Sequence, residues 1–182
     1  MRTYTVEGIV IKRQNIGEAD KLITLFTETL GKITLLARGI RKSSSRRVGS
    51  LELFNQVKVS AARGRGELDT LTEVQVLNSF SPWRRFLGRI TLAYQLCEIV
   101  DKLTPDRQPH PEIFTLLSLS LSQISNLKRD WQSKINGWKL QIVCELGYWP
   151  KDKEYVGEVD EFIEEIINRP LHSPDFLSRL KQ

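Results

Sequence analysis

The sequence predicts an α+β chain, a small closed barrel of five strands followed by a helical domain, and three observations point there. The first 80 residues carry short runs rich in Val, Ile and Thr with a period of two. From Ser81 the apolar residues recur every three or four positions instead. The charge balance changes as well: the excess behind the net charge of +5 lies toward the N-terminal side, and residues 150–182 are acidic. A boundary near Phe80 follows, with residues 1–80 as one domain and 81–182 as the other.

The strands are expected at Tyr4–Arg13, Lys21–Thr27, Ile33–Arg38, Phe54–Ala62 and Leu68–Leu77. Val57, Val59 and Ala61 alternate with Lys58, Ser60 and Ala62, so one side of that strand faces a core. In the last strand Thr70, Thr72, Val74 and Val76 share a face. Between these two runs, Arg63-Gly64-Arg65-Gly66 supplies a glycine-containing hairpin. Five short strands in about 80 residues suit a barrel, which removes exposed sheet edges, and the OB-fold is the five-stranded barrel of that size.

In the second half Ser81 can N-cap a helix and Pro82 suits its first position. Phe86, Ile90, Ala93, Cys97 and Val100 then form its core stripe. Pro111 opens a second helix with Ile113, Leu117, Leu121, Ile124 and Leu127 inward. Asp130 can cap a third, with Trp131, Ile135, Trp138, Ile142 and Leu146 as its main stripe, ended by Gly147 and Pro150. A fourth, acidic helix is expected over Val159–Asn168. His110, between Pro109 and Pro111, is expected in an exposed turn.

Composition excludes several functions. With 182 residues, 40% of them hydrophobic and 27% charged, the chain reads as an ordinary globular protein. No apolar run approaches the ~20 residues of a membrane span, and the N-terminus lacks a signal-peptide pattern, so a cytoplasmic location is expected. Cys97 and Cys144 fall among apolar neighbours and read as core residues; two cysteines do not complete a four-ligand zinc site. Gly64-Arg65-Gly66 precedes a strand and lacks the third glycine of a dinucleotide fingerprint, and Gly31-Lys32 lacks the rest of a Walker loop. No catalytic cluster emerges and no cofactor is expected, so the chain reads as a non-enzyme.

The strongest constellation is basic. No acid occurs between Lys32 and Leu51, while Lys32, Arg38, Arg41, Lys42, Arg46 and Arg47 do. The stretch from Gly39 to Ser50 also carries Ser43, Ser44, Ser45 and two glycines, which suits an irregular loop. Cations on such a loop can neutralise backbone phosphates. Arg63 and Arg65 add two more on the hairpin. Stacking would need aromatic residues close by, and the first half offers only Tyr4, Phe26, Phe54 and Phe80, some of which must fill the barrel. Electrostatic contact is therefore expected to dominate. The residues alone also fit an RNA-binding OB protein or a non-catalytic interaction module.

Specific motifs narrow this further. Gly17-Glu18-Ala19-Asp20-Lys21-Leu22 with Thr24-Leu25-Phe26 resembles the early signature of the RecO family. Ala37-Arg38-Gly39-Ile40-Arg41-Lys42 with Ser45-Arg46, and Gly64-Arg65-Gly66-Glu67-Leu68 with Leu71-Thr72-Glu73, resemble its next two motifs. Glu145-Leu146-Gly147-Tyr148 with Pro150 is similar to the end of a family helix. The resemblance implies an N-terminal OB-fold with a helical domain behind it, in a nucleoid-associated recombination mediator of DNA repair. It implies binding of single- and double-stranded DNA and annealing of complementary strands without ATP. It also implies cooperation with RecR, and with single-stranded-DNA-binding protein, in loading RecA. Many members carry a cysteine-rich zinc element after the Leu-Gly-Tyr-x-Pro segment; here Lys151-Asp152-Lys153-Glu154-Tyr155 follows, without cysteine. Members are usually longer, yet Arg169–Leu177 resembles the family's ending, so the resemblance implies an internal loss around residues 151–160.

Overall fold

The strand runs close on themselves because their inward side chains are apolar and evenly alternating. β1 (Thr3–Ile16), β2 (Asp20–Thr27), β3 (Gly31–Ala37), β4 (Gln56–Ala62) and β5 (Asp69–Asn78) form a closed barrel in the order β1-β2-β3-β5-β4. The structure is a computed structural model that describes residues 2–40, 49–64, 66, 68–128 and 131–172. All ladders are antiparallel except β3–β5, which is parallel and rests on the pairs Leu35–Asp69 and Leu36–Thr70. This is an OB-fold, with a helical domain after it.

Val6, Val10, Ile23, Leu25, Ile33, Leu35, Val57, Val59, Ala61 and Leu71 fill the barrel. Each such aliphatic side chain contributes about 1.5–3 kcal/mol relative to an exposed one. β1 runs beyond the expected Arg13 because its ladder with β2 continues to the pair Ile16–Asp20. β4 begins at Gln56, not Phe54, because Phe54 takes a left-handed φ of 71° and leaves the strand path.

The chain falls into two compact units, Met1–Phe80 with Pro105–Phe114, and Ser81–Thr104 with Thr115–Gln182. In the first unit, the segment after Pro105 docks on the start of β3. The Arg107 N–H donates to the Lys32 carbonyl at 2.9 Å. Gly31 sits at φ 66°, and a Cβ there would lie 2.1 Å from the Gln108 carbonyl oxygen, so only glycine admits this approach. His110 is consequently half-buried, with its Nε2 shielded from solvent, which corrects the expected exposed turn.

The second unit is helical. Ser81 and Pro82 do not open the first helix; with Trp83 they form a 3₁₀ turn, held by the buried Trp83 indole N–H donating to the Leu121 carbonyl at 2.8 Å. α1 (Leu87–Leu103) starts only after Phe86. Ala93, Cys97 and Val100 of the expected stripe are buried, but Phe86 is 44% exposed. α2 (Pro111–Gln123) runs from the first unit into the second and passes into a 3₁₀ turn at Ile124–Asn126. α3 (Trp131–Glu145) buries Ile135 and Ile142 and leaves Trp131 exposed; its expected cap, Asp130, lies outside the described residues. α4 (Val159–Ile167) ends at Asn168, whose left-handed conformation (φ 51°) lets its N–H reach the Glu164 and Glu165 carbonyls.

Two polar or aromatic features shape this unit. The Lys139 side chain is 2% exposed, and its ammonium donates to the Asp160 carboxylate at 2.6 Å, joining α3 to α4. The span that lacks cysteines is held instead by rings: Trp149 packs edge-on to Tyr155 and Phe162, and those two stack at 5.0 Å.

Candidate nucleic-acid interface

The barrel walls offer little that would hold a polyanion. Ladder neighbours share a face, so Ile9 and Phe26 stand side by side on the outside of β1 and β2, and both are fully buried. Across β1, β4 and β5 the outer surface is open and forms a shallow depression of about 600 Å³. It is lined by Thr5, Lys58, Ser60, Thr72, Glu73 and Gln75 among others. Lys58 lies 3.7 Å from Glu7, and Glu73 offsets it further, so this wall carries no positive excess. The remaining expected cations belong to the two loops that leave the barrel.

The loop between β3 and β4 is anchored at both ends. On the way out, the Gly39 N–H donates to the Asp20 carboxylate at 2.7 Å, and Ile40 enters the barrel core. On the way back, the Asn55 amide donates to the carbonyls of Gly49 (3.1 Å) and Ser50 (2.9 Å). Arg13 adds an ion pair to Glu52 at 2.8 Å and a hydrogen bond to the Leu51 carbonyl, and Leu51 is itself part of the core. Arg41, Lys42, Arg46 and Arg47 lie outside the described residues, between these two buried anchors. Arg38, at the exit from β3, is exposed.

The hairpin between β4 and β5 has a different root. Asp69, buried at the barrel mouth, accepts from the Tyr4 hydroxyl at 2.8 Å and from the Gly64 N–H at 3.1 Å. Burial, together with the hydrogen bond to Asp69 and its negative charge, pushes the Tyr4 hydroxyl up to about 12, while Arg107 and Arg63 pull the other way. Arg63 is exposed beside this root, and Arg65 is outside the described residues. Arg107, also exposed, is a cation of the same neighbourhood that the sequence did not suggest: it follows Asp106 directly and has no motif around it.

Lys32 is placed differently from its sequence neighbours. Its side chain is only 11% exposed, and its ammonium lies 3.4 Å from the Asp106 carboxylate. The acid-free window of the sequence is thus interrupted in space by an acid from a distant segment. Lys32 and Arg38 also flank opposite ends of β3, a strand of seven residues that spans roughly 20 Å. Among the described residues, Lys32 and Arg38 therefore share no patch: Arg38 stands at the start of the long loop, and Lys32 near Arg107.

Neither cysteine is poised as a nucleophile. The Cys97 thiol is fully buried, and burial raises its pKa; the Cys144 thiol is raised too, by burial and then by Glu145. No three His, Cys, Asp or Glu side chains among the described residues converge as metal ligands would. No described helix is long and apolar enough to cross a membrane.

Comparison with known proteins agrees across most of the chain. Residues 1–80 match the family described as Recombination protein O N terminal, and residues 84–153 match Recombination protein O C terminal. The DNA repair protein RecO of Symbiobacterium thermophilum is 34% identical over 165 residues, 91% of this chain and 65% of its own length. The protein of the same name from Roseiflexus sp. is 35% identical, over 82% of this chain and 52% of its own length. That from Myxococcus xanthus is 31% identical, over 83% of this chain and 62% of its own. The chain spans between about half and two thirds of the length of these relatives.

Proposed function

Since the chain belongs to the RecO family, we propose that it binds DNA in recombinational repair and performs no covalent chemistry. The observation that carries this reading is the cation-bearing loop, free of acids from Ile33 to Ser50 and tied to the barrel by Asp20, Asn55 and the buried side chains of Ile40 and Leu51. Such anchoring fixes where this stretch leaves and rejoins the barrel, and cations in its sequence suit the neutralisation of backbone phosphates. Arg38, Arg41, Lys42, Arg46 and Arg47 are the main contacts, with Arg63 and Arg65 on the hairpin as a second group. Lys32 contributes least, because Asp106 already holds it. The protein acts in the cytoplasm at the nucleoid.

Family membership further supports annealing of complementary strands without ATP, and assistance to RecA loading with RecR and single-stranded-DNA-binding protein. Annealing by a basic protein requires only that two polyanions be neutralised and brought close, so no nucleotide is called for. The test is a salt-titrated binding assay with single-stranded DNA, duplex DNA and RNA, followed by an annealing assay with and without ATP. The expected result is DNA binding that weakens steeply with salt, and annealing that ignores ATP. Preference for RNA over both DNA forms would instead support the RNA-binding alternative, and an ATP requirement would refute the non-enzymatic reading.

A further inference from the structure

The helical unit holds cations of a different kind. Phe86 precedes α1 with its ring 44% exposed, and the guanidinium groups of Arg85 and Arg89 each lie 5.0 Å from its centroid. Beside it opens a cavity of about 390 Å³, lined by Phe86, Arg89, Leu92, Leu127, Lys128 and Trp131. Trp131 is 37% exposed, so two large aromatic side chains border one groove, each partly in water, and guanidinium groups lie over the Phe86 ring. Among the described residues none of Arg85, Arg89 and Lys128 forms an ion pair. The sequence from Val74 to Cys97 carries Arg84, Arg85 and Arg89 and no acid.

We propose that this groove is a stacking site for the unpaired bases of single-stranded DNA, with Phe86 and Trp131 as platforms and Arg85, Arg89 and Lys128 holding the flanking phosphates. This rests on the DNA-binding reading above and extends it to a second surface. The physical case is complementarity on two counts. A base presents a π-face that an exposed ring can cover, and a guanidinium plane continues the same stack. The phosphates on either side of the base need cations, and the groove supplies them with no acid on α1's first turn and no ion pair among the described residues. In a duplex the bases are already stacked on one another, so the groove selects single strands.

The test compares an oligothymidylate with an abasic oligonucleotide of the same length, at salt raised until duplex binding weakens. The two carry the same phosphates and differ in bases alone. The wild-type chain is expected to favour the thymidylate by roughly ten- to a hundredfold. Phe86→Ala with Trp131→Ala should bring that ratio close to one while leaving the salt dependence unchanged. More than half of each side chain is buried, so the double variant should melt somewhat below the wild type, and Phe86→Leu with Trp131→Leu, which keeps apolar bulk but no ring, should bring the ratio close to one as well. Arg89→Gln, which keeps both rings, should lower the ratio only in part. A wild-type ratio of one overturns the proposal and is the result expected if the groove takes an acidic peptide instead; a ratio that survives in the double variant overturns it as well. Loss of binding to every DNA form, duplex included, would be a failure of the DNA-binding reading itself, and is distinguished by that breadth.

Discussion

The cations of the barrel unit and those of the helical unit differ in what stands next to them. Around the barrel, the aromatic side chains are spent on packing: Phe26, Phe54 and Phe80 are all buried, and Tyr4 is occupied with Asp69. Arg63 and Arg107 of this unit are exposed and act on Tyr4 as charges. On the helical unit, Arg85 and Arg89 lie against an exposed Phe86, and Arg84 lies 5.5 Å from the Trp83 ring. A cation alone senses phosphate charge, and its contribution fades as salt rises. A cation with an open ring senses whether a base is unpaired, and that contribution persists in salt. The two surfaces proposed above thus differ chemically in how each would meet a nucleic acid.

The comparison can be broken most forcefully on the barrel side. Replacing Arg41, Lys42, Arg46 and Arg47 by Ala should remove a slope of roughly −3 from log K against log salt, and roughly a thousandfold of affinity at low salt. The loss should be the same for all base sequences, and the preference for thymidylate over abasic strands should persist. An unchanged slope in this variant would exclude the long loop as the electrostatic contact.

A second variant attacks the helical side through its frame. Asp160→Ala leaves the Lys139 ammonium buried and unpaired, which should cost the helical unit about 3 kcal/mol. Lys139→Met, which removes the charge along with its need for a partner, should be close to neutral. Urea unfolding followed by tryptophan emission measures both, since all four tryptophans lie in the second unit. Equal destabilisation by the two variants would mean that the ion pair contributes net stability and is not merely a compensated burial.

The smallest effect sharpens the barrel side. Tyr4→Phe removes one hydrogen bond to Asp69 and should cost about 1 kcal/mol. The raised folded-state pKa makes the wild type pH-sensitive in a definite direction. Below pH 10 the hydroxyl is protonated in both folded and unfolded chains; as pH rises from 10 toward 12 the unfolded chain loses its proton first, so stability falls. Tyr4→Phe should lack this part of the alkaline decline. Identical profiles from pH 9 to 11 for wild type and variant would show that Tyr4 does not carry it.

Much of the fold was legible because it rests on local periodicity. Val57, Val59 and Ala61 alternate, and they face the core; Ala93, Cys97 and Val100 recur at helical spacing, and they are buried. Phe86 and Trp131 obey the same spacing yet are only partly covered. Each lies at a helix start, where burial depends on how far the neighbouring elements extend, and periodicity carries no information about that. The candidate groove was illegible for this reason. The basic stretch between β3 and β4 is, by contrast, an acid-free run of the sequence itself, and most of it lies outside the described residues.

By itself, the sequence determined the barrel-then-helices order, the inward faces of the strands, the basic loop and the family motifs. All of these are patterns among residues close together in the chain. Only the tertiary structure decided that Asp106 reaches Lys32, that Asp69 bridges Tyr4 and Gly64, and that Lys139 is buried against Asp160. Each of these joins groups on separate segments. An ion pair or a covered ring is a property of distance in space, and separation along the chain does not encode it.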